Sequence, residues 1–276
     1  MKNLLKKFYL FSNSWTGTFV IVLFVIFFIA QAFVIPSGSM IKTLLIGDHL
    51  FVKKFSYGIP TPHIPWLEVR VLPDFNNNGH LIEGDKPKRG DIVVFRFPQD
   101  EKVHYVKRCV ATEDDEILFQ DKHLYIHFAQ GDAYIKENYP AEKIVQMAGK
   151  LWVDNPYKEQ FLGIHYDNEL DLFSQMSLHL AAGQLAMKPA LIQELPPRSG
   201  YPFNAFYTKV EKGHFYMVGD NRDHSNDSRF WGSVPYRLII GKPWFVYFSW
   251  DKDYKIRWDR MFRSVESLQH DERLLR

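Results

Sequence analysis

Three short stretches of this 276-residue chain combine residue types that can break a covalent bond. In Pro36-Ser37-Gly38-Ser39-Met40 a glycine separates two hydroxyls, and the chain can bend there with no Cβ penalty. A backbone N–H and a hydroxyl could then converge on one substrate oxygen, although Ser-Gly-Ser alone is an ordinary linker. Val103-His104-Tyr105-Val106-Lys107-Arg108-Cys109-Val110 reads as a strand whose period of two puts Val103, Tyr105, Lys107 and Cys109 on one face. An ammonium on a buriable face is costly. Burial drives the amine toward its neutral form, which can act as a general base toward a serine hydroxyl. The alternative for a strand lysine is to snorkel to water from a sheet edge. The third stretch, Gly219 to Gly232, packs Asp220, Arg222, Asp223, His224, Ser225, Asp227 and Arg229 between two β-like runs. Such density suits a hydrogen-bonded loop over a site. A solvated turn or a cation site fits it equally, except that Arg222 and Arg229 would repel the cation.

The composition narrows the chemistry. Lys and Arg total 34 against 32 Asp and Glu, a net charge of +2, which gives no electrostatic case for nucleic acid as a partner. The single cysteine, Cys109, permits no intrachain disulfide and no cysteine-based zinc cage. No His-Glu-x-x-His zinc motif and no Gly-x-Ser-x-Gly elbow occur. A Ser-His-Asp triad would have to draw on His104 or His224, and alternation turns His104 away from the Lys107 face.

The elements that must position these residues begin with an anchor. From Phe8 to Ile41 there is no charged side chain. A helix over residues 16–35, ended by Pro36, would be roughly 30 Å long and match the hydrocarbon core of a bilayer. The expected order is a short cytoplasmic N-terminus over 1–15, one transmembrane helix over 16–35, and a body on the far side. Lys2, Lys6 and Lys7 favour that orientation, while Lys42, Lys53 and Lys54 oppose it. A buried core helix and a cleavable leader ending at Ala30-Gln31-Ala32 are the competing readings. After the anchor, β-rich runs at 48–55, 91–97, 103–110, 214–218 and 243–250 predict a mainly β fold. The expectation is an antiparallel, barrel-like catalytic body made of residues 36–112 and 203–262. Residues 113–202, with helical spacing around Leu170, Phe173, Met176 and Leu180, read as an inserted cap, and 263–276 as a solvated or disordered tail.

Together these stretches resemble the bacterial type I signal peptidases (leader peptidases, peptidase family S26), membrane-bound serine proteases with a Ser-Lys dyad. The likeness rests on Pro36 to Met40 with Thr43-Leu44 and Gly47-Asp48, on Arg89 to Phe95, on Tyr105-Val106-Lys107-Arg108, and on Gly219 to Gly232, in the family's order. It implies Ser39 as nucleophile, Lys107 as general base, and Ser37 Oγ with the Ser39 N–H as oxyanion hole. It further implies that Ser225 orients the lysine amine and that Asp227 and Arg229 form an ion pair shaping the site. Phe33, Ile35, Met40, Leu44, Tyr105 and Val106 would line shallow pockets for the small residues of an Ala-x-Ala cleavage sequence. The implied partners are signal-peptide-bearing preproteins, membrane lipids and the secretion translocon; no metal or organic cofactor is expected. The implied location is the bacterial inner membrane, single-pass, with the catalytic part on the periplasmic face.

The chain departs from the family pattern at Lys42, where proline is usual, at Ala111-Thr112-Glu113-Asp114-Asp115, which replaces a Gly-Leu-Pro-Gly-Asp segment, and at His224, where asparagine is common. Two other readings stand beside this one. The first is a conjugation or pilus maturation peptidase of the same dyad class; the second is a non-enzymatic, membrane-anchored β domain that binds envelope partners.

Overall fold

The structure is a computed structural model that describes residues 2–64 and 67–274. The N-terminal helices Lys2–Ser12 and Trp15–Phe24 meet at a corner capped by Ser14, whose hydroxyl accepts from the Gly17 N–H at 3.0 Å. Gly17 permits this corner, because a Cβ there would fall 1.7 Å from the Phe11 carbonyl oxygen. A π-helical turn, Val25–Ile29, continues the second helix, and the two arms, Leu5–Ser12 and Trp15–Ile29, are bent by 92°.

The expected 16–35 helix is therefore corrected at its C-terminal end. Helix stops at Ile29, and Ala30–Val34 is a strand paired antiparallel with Asp48–Lys53, in register from Ala30 opposite Lys53 to Val34 opposite His49. The strand gives Asp48–Lys53 a hydrogen-bonded partner on that side and delivers Ile35 into the core, gains that helix continuation past Ile29 would forfeit. Pro36 follows a strand rather than ending a helix. Among the described residues no single helix is long and apolar enough to cross a membrane; the bent pair together reaches that length and composition.

The body is antiparallel. An eight-stranded sheet runs in the order Ala30–Val34, Asp48–Lys53, Ile239–Ser249, Ile92–Phe97, Asp100–Ala111, His214–Val218, Val234–Pro235, with Arg263–Ser264 added to Ile239–Ser249. Its two ends do not pair with each other, so the barrel-like expectation becomes an open sheet. A six-stranded sheet, ordered Ile144–Met147, Lys150–Asp154, His123–His127, Glu116–Gln120, Ala205–Lys209, Lys188–Ala190, makes the cap. Ala205–Lys209, assigned from sequence to the body, belongs to this second sheet because it pairs with Glu116–Gln120. The cap closes where Asp114 N donates to the Val210 carbonyl and Val210 N donates to that of Asp115. Helix Leu172–Ala181, N-capped by Asp171, buries Phe173 and Met176 of the expected face in the cap's core together with Leu172, while Leu180 packs there partly buried and Leu170 precedes the helix.

The tail also differs from expectation. Val265 and Leu268 enter the body's core, and Gln269 is buried beneath the site, so apolar burial fixes this end of the chain. Residues 275 and 276 lie outside the described residues.

Candidate active site

Ser39 sits in a single 3₁₀ turn, Gly38–Met40, just beyond the edge strand, and Lys107 sits in the long strand Asp100–Ala111. The turn and the strand bring Lys107 Nζ to 2.7 Å from Ser39 Oγ; the amine also donates to the Val106 carbonyl at 3.0 Å. Both residues are buried, Lys107 at 4% exposure and Ser39 at 7%. Burial pulls the Lys107 pKa down from 10.5 to about 8, and the charges of Asp227 and Asp220 restrain the fall. A minor fraction of the amine is therefore neutral at physiological pH, where an ordinary lysine is almost wholly charged, and it lies beside a hydroxyl within hydrogen-bond reach.

The loop from Gly219 holds the serine turn by its backbone. Asn221 N donates to the Ser39 carbonyl at 3.1 Å, and Asn221 Nδ2 donates to the Gly38 carbonyl at 3.0 Å. The approach requires a glycine at 219, because a Cβ there would lie 2.5 Å from the Ser39 carbonyl oxygen and 2.3 Å from Ser225 Oγ. Asp227 accepts from the Gly219 N–H at 3.1 Å and from Arg229 Nε and Nη2, both at 2.8 Å. Burial works to raise the Asp227 pKa, but the Arg229 charge and these bonds hold it below the ordinary carboxylate value. Asp227 and Arg229 do pair, as the resemblance implies.

Two further buried ion pairs tie the site together, and sequence reasoning did not assign them. Asp220 accepts from Arg108 Nε and Nη2 at 2.8 and 2.7 Å, and from Thr43 Oγ1 at 2.6 Å. Arg108 also donates to the Gly90 carbonyl and to Gln269 Oε1, and its guanidinium lies 3.8 Å over the Phe161 ring. Asp48 accepts from Arg260 at 3.0 and 2.6 Å and from Ser249 Oγ at 2.7 Å, while Arg260 reaches the Thr43 carbonyl. The turn after Ser39 is thus held at Thr43 by its side chain and by its carbonyl. An arginine beside the lysine in an apolar strand was the available signal, but its partner lies 112 residues away in sequence.

The other expected site residues divide. Ile35, Met40 and Leu44 are buried in one cluster with Leu50, Val52, Ile92 and Val94, and Phe33 and Val106 pack over it partly exposed. Tyr105 stands apart, stacked on Phe97 at 4.7 Å and edge-on to Trp231 at 6.3 Å. Ser37 is exposed, with extended backbone, directly before the serine turn. Ser225 Oγ is buried with no hydrogen-bond partner. Neither histidine of the rival triad serves the serine: His104 faces Glu68 at 3.5 Å and His224 faces Asp167 at 3.0 Å. Among the described residues no cluster of His, Cys, Asp and Glu could hold a metal ion.

The sequence profile described as "Signal peptidase, peptidase S26" matches residues 11–250, which include every residue of this site except Gln269 and Arg260. The chain belongs to the S26 signal peptidase family. It is similar to signal peptidase I of Helicobacter pylori strain J99, at 50% identity over 285 aligned positions covering 96% of each chain. It is also similar to signal peptidase I of Pseudomonas aeruginosa, at 33% identity over 87% of this chain and 72% of that one. A solved signal peptidase I from Enterococcus faecalis shares 18% identity over 57% of this chain and 97% of that one, with a TM-score of 0.29. As an S26 signal peptidase the chain is a hydrolase, a protease whose substrates are preproteins bearing signal peptides.

Proposed function

We propose that the protein removes signal peptides by Ser-Lys dyad chemistry, cleaving after an Ala-x-Ala-type sequence. The observation that carries this reading is the buried 2.7 Å approach of Lys107 Nζ to Ser39 Oγ, with the amine's pKa at about 8. Neutral Lys107 takes the Ser39 proton as Oγ attacks the scissile carbonyl carbon. The resulting oxyanion is met by the Ser39 N–H and Ser37 Oγ, donors each worth about 3 kcal/mol of barrier. Lys107 then returns the proton to the departing amine, leaving the signal peptide as an ester on Ser39. Water, deprotonated by the same lysine, hydrolyses the ester.

Substrate docking follows from the free edge of Ala30–Val34, which among the described residues pairs only with Asp48–Lys53. An extended precursor segment can add there as a further strand, with its small side chains toward Phe33 and Val106, which overlie the buried Ile35, Met40 and Leu44. Ser225, within the loop that grips the serine turn, orients the lysine amine as the substrate enters. The apolar bent helix pair holds the protein at the inner membrane with this body on the periplasmic face, the side on which a translocon would present precursors.

The test incubates the detergent-solubilised full chain with a signal-bearing precursor and sequences the new N-terminus. The reading expects release immediately after Ala-x-Ala, and loss of release with Ser39→Ala and with Lys107→Ala. Cleavage retained in both variants would refute the dyad.

A further inference from the structure

A cleft of about 930 Å³ opens between the cap and the serine-gripping loop. One wall is the face of helix Leu172–Ala181 that carries Leu172, Gln175 and His179, with the turn Gly183–Ala186 beyond it; the other is Asp223 to Asn226 with Phe230 and Trp231. Gln99, from the turn that opens the lysine strand, completes the lining.

The near end of the cleft touches the candidate active site in two ways. Ser225 lines it, and Ser225 Oγ lies against Gly219 beside the Ser39 carbonyl. Trp231 lines it too, and packs edge-on against Tyr105, two residues from Lys107. Phe33, on the edge strand Ala30–Val34, and Val106 belong to a different cluster, over Ile35, Met40 and Leu44, and neither lines the cleft.

The exposed side-chain amides of Gln99, Gln175, Gln184 and Asn226 make no hydrogen bond to protein among the described residues, and the His179 imidazole lies edge-on to the Phe230 ring at 5.2 Å. Each amide offers donors and an acceptor with no net charge. That set matches the backbone of an extended peptide and is indifferent to its side chains. The cleft's volume is at the upper end of the range for sites that enclose a ligand.

We propose that this cleft receives the mature side of the precursor, the residues that follow the scissile bond. The inference rests on the dyad reading above. The signal side adds to Ala30–Val34, the chain crosses Ser39, and its continuation passes Tyr105 and Trp231 into the cleft. There the unspent amides bond its main chain, and helix Leu172–Ala181 forms the far wall. The cap thereby contributes to substrate binding while leaving mature sequences free to vary, as a protease with many precursors requires.

The test compares two synthetic substrates with the same Ala-x-Ala signal side, one ending one residue past the cleavage point and one carrying about six further residues, ~20 Å when extended. The wild-type chain is expected to cleave the long substrate with kcat/KM about tenfold higher, through KM, the equivalent of ~1.4 kcal/mol. The double variant Gln175→Ala/His179→Ala and the cleft-filling Ala186→Trp are expected to abolish that advantage while cleaving the short substrate at the wild-type rate. Equal wild-type rates on the two substrates, or an advantage that survives both variants, would overturn the cleft assignment. Failure of the wild type to cleave either substrate would instead overturn the dyad reading.

Discussion

Arg108 and Asp220 form a bidentate ion pair, at 2.8 and 2.7 Å, with both side chains fully buried. Arg108 follows Lys107 directly, and Asp220 follows Gly219, the residue pressed against the Ser39 carbonyl. One pair therefore joins the strand that carries the amine to the loop that grips the hydroxyl.

Because a lone buried charge costs far more than a pair, removing one partner is expected to destabilise strongly. Asp220→Asn should lower stability by about 3–5 kcal/mol and reduce turnover, as the loop loses its tether to Arg108 and Thr43. Thermal unfolding alongside precursor cleavage checks this; an unchanged melting temperature would show that the pair holds nothing in place.

Gly219→Ala should leave the fold largely intact but displace the serine turn. Its Cβ would meet the Ser39 carbonyl oxygen at 2.5 Å and Ser225 Oγ at 2.3 Å. A shift approaching 1 Å at reacting atoms can cost about 100-fold in rate, so kcat is expected to fall by that order with little change in secondary structure. Near-normal kcat in this variant would mean that the serine turn tolerates displacement.

Lys107 has an energetic cost at neutral pH. Its folded pKa of about 8 lies below the unfolded 10.5, so the folded state binds fewer protons across that interval. Stability from this group thus rises with pH between about 8 and 10.5, and at pH 7 the folded state carries a penalty of about 3 kcal/mol. Lys107→Met is expected to stabilise the protein by up to that amount at pH 7, a gain that shrinks as pH passes 8 toward 10.5. Denaturant unfolding at several pH values measures it; a variant less stable than wild type at pH 7 would contradict the burial cost.

Asp227 has the opposite sign. Arg229 keeps its folded pKa below the ordinary value, so its contribution is full above the unfolded carboxylate pKa near 4 and is lost as pH falls toward the folded one. Asp227→Asn should therefore flatten the acid limb of the stability curve below about pH 4. An acid limb of unchanged steepness would assign acid sensitivity to other carboxylates.

Lys107 was only partly legible from sequence. Strand alternation grouped it with Val103, Tyr105 and Cys109, but Val103 is exposed and Arg108 and Val110 of the other face are fully buried, so the strand is covered on both faces from Lys107 to Ala111. Asp227 and Arg229 were legible through the resemblance and are also close in sequence. Asp220 with Arg108 and Asp48 with Arg260 were not, since each joins residues more than a hundred positions apart and no local period reports such a pairing. The 16–35 segment misled for a related reason. Ala30–Val34 is apolar enough to continue a helix, and only its partner Asp48–Lys53 makes it a strand. Ala205–Lys209 likewise reads as a strand from its own residues, but its sheet is decided by Glu116–Gln120.

The central claim is that an amine made neutral by burial activates Ser39, and the pH dependence of kcat/KM tests it most directly, because that ratio reports ionisations of the free enzyme. Cleavage of an Ala-x-Ala precursor by the full chain should rise through a midpoint near the Lys107 value of about 8, and the rising limb should vanish with the residual activity of Lys107→Ala. A profile flat across the range, or one whose midpoint stays near the ordinary lysine value, would contradict it.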